Sequence, residues 1–150
     1  MGGFFYLLIK YVHILAAITA VGSNITYAVW LVRAQREASH YGFVIKTIKF
    51  LDDRVANPAY GLLLITGLLM VFIGSWGFRV WIALALILFA GILVVTFFVY
   101  VPAQRGEIAA VDSGDAAAAA RFHGRTQLSG ITLGVIALVI LVLMVFKPGS

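Results

Sequence analysis

Apolar residues along this chain gather into four long runs, and charge collects in the stretches between them. The first run covers residues 4–31. At about 1.5 Å of rise per helical residue it crosses ~30 Å of hydrocarbon with length to spare. A second covers 58–76 and starts at Pro58, a residue tolerated in the first turn of a helix because its missing N–H has no partner there anyway. The third covers 80–101 and meets Pro102, which reads as its stop. The fourth covers 127–146. The short link Gly74-Ser-Trp-Gly77 makes spans two and three an antiparallel hairpin. The pattern predicts an all-α, integral membrane four-helix bundle forming one domain over residues 1–150.

Two intervening stretches have patterns of their own. In 41–55, Phe43, Val44, Ile45, Ile48, Phe50 and Leu51 alternate with charges, which predicts a short amphipathic helix on the membrane surface; the alternative is an extension of span two beyond the membrane. In the loop 102–126, Asp112, Ser113 and Asp115 precede the run Ala116–Ala120. A helix with a side-chain cap is expected to begin there and lead into span four.

Composition agrees with the pattern. With 63% hydrophobic residues and 11% charged ones, the chain has too little polar surface to coat a water-soluble globule. The net charge of +5 sits in the loops, where it sets orientation and meets lipid headgroups, so a nucleic-acid partner is not expected. Eight basic residues lie on one side: Arg33, Arg36, Lys46, Lys49, Arg54, Arg105, Arg121 and Arg125. Only Lys10, Arg79 and Lys147 lie on the other. The positive-inside rule then places segments 41–55 and 102–126 in the cytoplasm and both termini outside. Trp30, Tyr60 and Tyr100 at the inner ends, with Trp76 and Trp81 at the outer ends, read as interfacial aromatics. No basic segment precedes the first run, so it is read as a retained span and not a cleaved leader. Cysteine is absent, which excludes disulfides, thiolate metal sites and iron–sulfur clusters.

Within span one, Tyr6, Lys10, His13, Ala17, Ala20, Asn24 and Tyr27 follow a spacing of three and four residues and form one polar or small stripe. The other faces are Leu, Ile, Val and Phe. An ionised group at mid-membrane costs about 2.5 to 3.5 kcal/mol on insertion scales, so the stripe is expected to face the bundle. Each polar member has a plain reading beside a functional one. Lys10 either snorkels to the outer surface or joins a cofactor site. Asn24 either hydrogen-bonds to a neighbouring helix or joins that site. His13 is either a metal or haem ligand or a structural hydrogen-bonder.

His40 and His123 fall in the loops, whereas His13 lies about 25 Å from the inner end of its helix, so a bis-histidine haem within one chain is excluded by distance. Met70 and Met144 fall about 20 Å from the inner ends of spans two and four. His13, Met70 and Met144 are therefore the candidate metal set, of a type suited to Cu(I) or His/Met haem ligation, against a packing role for both methionines. His123, Gln127, Gly130 and Gly134 share a face of span four that suits close helix packing, and His123 itself, between Arg121 and Arg125, reads as solvated or facing headgroups. Asp52, Asp53, Arg54 and Asn57 at the entry to span two read as an ion-pair and capping cluster, with an outpost on a proton or cation path as the alternative. No nucleophile–base pair, phosphate-binding glycine loop or metalloprotease helix occurs.

Several of these residues carry a resemblance. Lys10-x-x-His13-Ile14 with Gly22 resembles the first helix of the HemJ-type protoporphyrinogen oxidases, and Pro58-Ala59 with Gly67 resembles their second. The ending Val145-Phe146-Lys147-Pro148 is similar to theirs. The chain thus resembles a broad group of HemJ-type enzymes, CopD-type copper-resistance membrane proteins and uncharacterised small bacterial four-helix membrane proteins, the last most of all. The resemblance implies haem b on His13, an oligomer, and a bacterial inner membrane. The third span has no lysine and Ala20 stands near a tryptophan of the HemJ pattern, so porphyrinogen oxidation is not expected of it. The leading expectation is a four-helix membrane protein binding haem b or a metal ion such as copper, with His13, Lys10 and Asn24 around the cofactor. The alternatives are a cofactor-free accessory subunit in a homo-oligomer or larger membrane complex, and a transporter of a small ion or solute.

Overall fold

The computed structural model describes residues 2–74, 77 and 79–149, and the regular structure in them is helical throughout. Helix α1 is Gly2–Arg36, α2 Ala38–Leu51, α3 Asn57–Ile73, α4 Val80–Val95, α5 Val101–Ser113 and α6 Ala116–Phe146. Between α2 and α3, and again between α4 and α5, the chain stays helical through a wider π segment, Asp52–Ala56 and Thr96–Tyr100. The result is four rods of 31 to 36 residues, each long and apolar enough to cross a membrane. Such rods are about 46 to 54 Å long and exceed the hydrocarbon thickness by some 15 Å or more.

Two expectations from the hydropathy pattern do not hold. The segment 41–55 is not a separate surface helix: α2 runs without a break through the π segment into α3, so it extends span two. Likewise Pro102 does not end span three, and residues 102–126 are the helices α5 and α6 with a tight turn between them. The physical reason is local. A proline within an α-helix removes one N–H and presses its ring on the carbonyl four residues back, here those of Arg54 and Phe98. Each proline stands two residues after the end of a π segment, and the Asn57 and Val101 N–H groups reach back five residues, to the Asp52 and Thr96 carbonyls. The wider turn takes up the misfit, so the helix continues with its face rotated. Counted from the link between α3 and α4, the two π segments lie at nearly the same depth, about 28 Å away.

The turns at the extended end are short. Glu37 alone separates α1 from α2. After α5, Gly114 takes a left-handed φ of 73°, its N–H bonds to the Val111 carbonyl, and that of Asp115 bonds to the Ala110 carbonyl, a Schellman closure. Asp115 then caps α6 by accepting from the Ala118 N–H at 3.0 Å, as expected of the acidic run before Ala116. Ser75 and Trp76 of the expected hairpin link lie outside the described residues, and with them the end of span two and the interfacial role given to Trp76.

Packing is uneven along the rods. Helix α1 lies along α3, α4 along α6, and α5 along α6, while α2 touches α1 and α5. Among the described residues α3 and α4 make no close backbone approach, although they are consecutive spans. Between them runs an apolar groove of about 170 Å³, lined by Tyr60, Gly61, Leu64, Phe89 and Ile92 among others. Only 11 to 17% of the most apolar window of each rod is buried, so lipid or another chain must cover the rest. The tightest helix contact is at Gly106, where an added Cβ would stand 2.5 Å from the Phe122 ring. Replacing Gly106 by alanine is therefore expected to lower stability by about 1 to 3 kcal/mol despite alanine's better helix propensity. Gly61→Ala, at a position with nothing within 4 Å, is expected to be neutral or stabilising; thermal unfolding of both variants in detergent checks the contrast.

Candidate functional site

The stripe of span one faces inward, as its spacing required. Ala16, Ala20 and Tyr27 are buried, and Tyr6, His13, Ala17 and Asn24 are half-buried. Lys10 is exposed, which fits the snorkelling alternative. The polar members meet partners at three depths.

At the first depth, His13 Nδ1 lies 2.8 Å from the Thr66 hydroxyl of α3. Thr66 donates its own proton to the Leu62 carbonyl four residues back, at 2.5 Å. A hydroxyl has one proton, so Nδ1 carries the hydrogen and donates to Thr66. That tautomer leaves the Nε2 lone pair unused by this pair. The ring also packs on Gly67, where a Cβ would stand 3.2 Å from Cε1, so α3 carries a glycine where the imidazole crosses. Met70 follows Thr66 by one helical turn on the same side of α3, and Met144 lies on α6. Helices α3 and α6 make no close approach to each other among the described residues, so the two methionines are not on facing helix surfaces.

At the second depth, Asn24 Nδ2 donates to the Tyr60 hydroxyl at 2.8 Å, its helix-to-helix reading. Close by is a group placed differently by the sequence alone. Asp52 does not join a surface ion-pair cluster: it is 7% exposed and turned into the bundle. Its Oδ2 accepts from the Tyr100 hydroxyl at 2.9 Å and from Gln104 Nε2 at 3.0 Å. Asp53 is the residue that pairs outward, with Lys49 at 2.5 Å, and Arg54 lies over the Phe50 ring. Tyr60 and Tyr100 accordingly leave the interfacial belt expected of them, and Trp81 too is buried. Of that set Trp30 stands exposed, as an interfacial residue does.

At the third depth, near the basic end, Glu107 is 2% exposed and accepts from the Tyr41 hydroxyl and from His123 Nδ1, the latter at 2.9 Å. Gln35 Nε2 donates to His123 Nε2 at 2.9 Å. Nε2 therefore accepts, and the neutral ring keeps its hydrogen on Nδ1, toward the carboxylate. His123 is thus not the solvated residue its flanking arginines implied; the ring is held by a buried acid and borders an open cleft of about 460 Å³ with Gln35, Tyr41 and Gln127. On the same helix, Gly130 packs against Tyr100 at ordinary contact distance and Gly134 meets nothing within 4 Å, so the close glycine contacts are at 67 and 106 instead.

The site residues thus divide. His13 and Asn24 share a face but bond to different partners two to three turns apart, and Lys10 joins neither. Among the described residues no group of three or more His, Asp or Glu converges as a metal cage would require. Asp52, Tyr100, Gln104, Tyr41 and Glu107 were not singled out as an inward set. The one signal that would have found them is the repeated proline six residues after Asp52 and after Thr96, which marks where the helix face rotates.

Four apolar rods, joined through polar contacts within their seams, define a polytopic α-helical integral membrane protein. The chain belongs to the DUF2269 family of predicted integral membrane proteins, whose family model matches residues 7–148. Neither a curated protein nor a solved structure matches it. Removing one donor from a buried carboxylate leaves charge uncompensated, so Tyr41→Phe is expected to lower stability by about 1 to 3 kcal/mol. Tyr11→Phe, on an exposed ring, is expected to change it by less than about 0.5 kcal/mol; chemical or thermal unfolding in detergent compares them.

Proposed function

We propose that this protein is a haem-binding membrane subunit in which His13 Nε2 would hold the haem iron. The single observation behind this is the Nδ1–H donated to Thr66, since a ligating imidazole is oriented by a hydrogen bond from its other nitrogen. The resemblance of the Lys10–Gly22 segment to HemJ-type helices supports the same reading. The donor set would supply one ligand to the iron and not a cage of several protein ligands. His123 lies at the level of Gln35, which is about 33 Å along α1 from His13, so any second protein ligand comes from a methionine or from another copy. When bound, haem b supplies one-electron redox chemistry. This chain's own contribution is to hold the imidazole in one tautomer, to place it against Gly67, and to surround it with apolar helix faces. The positive-inside count and the resemblance support a bacterial inner membrane with both termini outside.

The separation of α3 and α4 favours a second reading, a cofactor-free accessory subunit whose groove is filled by another copy or a larger membrane complex. The two readings part on one measurement. In dithionite-reduced spectra of the detergent-purified protein, the haem reading requires Soret and α bands that His13→Ala abolishes. Thr66→Val is expected to keep the fold and weaken haem retention about 10- to 100-fold. A protein without those bands, and without iron or copper by elemental analysis, leaves the accessory reading.

A further inference from the structure

Two buried acids lie along the inner seam near the basic end. Both belong to the described residues that leave water without a lysine or arginine partner. Asp52 takes part in no ion pair among those residues, and Glu107 is paired only with His123. Lys49, the ammonium nearest Asp52, is held by both oxygens of Asp53 at 2.5 Å. A carboxyl buried in protein without a counter-ion is costly to keep ionised, which suits it to gaining and losing a proton.

The groups around Asp52 suit both of its protonation states. Ionised, it has two donors on Oδ2, Tyr100 and Gln104. Protonated, it needs an acceptor for the new O–H. Tyr27, 6% exposed, faces the carboxyl from α1, and its hydroxyl can donate to it or accept from it. Gln104, 3% exposed, holds a buried oxygen without a partner, Oε1. A single added proton answers one of these two acceptors, while the Tyr27 hydroxyl, donor as well as acceptor, serves the ionised form too, so the pocket accommodates Asp52 in either state. The other titratable groups facing Asp52 are Lys49 and Asp53 on its own rod, Tyr60 on α3 and Tyr100 across the seam, with Glu107 acting on Tyr100 from α5.

A supply route lies on the same face of α5. Gln104 and Glu107 are three residues apart and both buried, hence neighbours on one helix surface. Glu107 holds His123, and His123 borders the open cleft. We propose that Asp52 is an exchangeable-proton site, loaded and unloaded from that cleft through His123 and Glu107. Water in the cleft protonates Nε2 once the Gln35 amide turns away. Nδ1–H passes its proton to Glu107, leaving the imidazole neutral, and the Tyr100 hydroxyl, which feels the Glu107 charge and donates to Asp52, carries it on by giving its own hydrogen to the carboxylate as it gains one. The carboxylate becomes a carboxylic acid donating to Tyr27, and the reverse steps return the proton.

Infrared spectra of the purified protein in lipid nanodiscs, recorded through a pH titration, test this without reference to any cofactor. The expected result is a protonated-carboxyl C=O band that grows as pH falls and is missing in Asp52→Asn. In Tyr100→Phe the band moves to higher frequency, because one donor to that carboxyl is gone. On transfer to D₂O its deuterium shift slows roughly tenfold or more in Glu107→Gln and in His123→Ala, as for loss of a positioned proton carrier. A titration with no band that responds to Asp52→Asn or Tyr100→Phe overturns the site. A band whose exchange is unchanged in both Glu107→Gln and His123→Ala overturns the route. Tyr100→Phe keeps the acid in place and so reads the site even where Asp52→Asn does not fold. His13→Ala is expected to leave band and exchange unaltered, which separates this proposal from the haem reading.

Discussion

A carboxylate withdrawn from water must be met by donors from the protein, and in this bundle that demand decides which rods come together. Tyr100 and Gln104 belong to the third rod, Asp52 to the second, and the apolar parts of those rods, α3 and α4, make no close backbone approach among the described residues, with Tyr60 reaching the Phe89 ring across the gap. The hydrogen bonds at Asp52 therefore join two rods whose backbones stand apart over their apolar lengths. Nothing else on α3 or α4 would do this as well, because in lipid an apolar side chain is as well solvated by acyl chains as by a neighbouring helix. Directional polar contacts carry the specificity instead.

The π segments make that junction available. A straight α-helix through Asp52 would keep the face set by α2, and one through Tyr100 the face set by α4. Each wider turn rotates the helix beyond it, so α2 and α5 meet at the extended end while α3 and α4 diverge on the far side. Lys46 reaches Asp112 between α2 and α5 at 2.6 Å, an exposed pair of small weight that marks how closely those helices run. The fourth rod closes the end, with Phe122 against Gly106 and His123 against Glu107.

Viewed along α1, the polar contacts occur at His13, at Asn24 and at Gln35, with the alanines 16, 17 and 20 between the first two. The upper contact fastens α1 to α3 alone. The lower two gather all four rods. The assembly is thus most tightly specified at its basic end and most open on the side of His13, where the surface left uncovered is the one a haem, lipid or further copy would occupy.

What the amino-acid order determined by itself was whatever depends on transfer from water to hydrocarbon and on short-range chemistry: four apolar spans, the inward stripe of α1, and the cap at Asp115. Those come from hydropathy, three-four spacing and short-range chemistry, each complete within a few turns of helix. Only the tertiary structure decided that Asp52 turns inward while Asp53 turns outward, that Tyr60 and Tyr100 leave the interface, and that His123 and Glu107 form a pair. The two aspartates are adjacent and chemically identical, so no local rule separates them; the rotation imposed by the π segment ahead of Pro58, and donors lying about 50 residues away on another rod, do. The same holds for His13, whose spacing gave its depth and face, while its tautomer depended on a threonine of α3 that already spends its proton on its own helix.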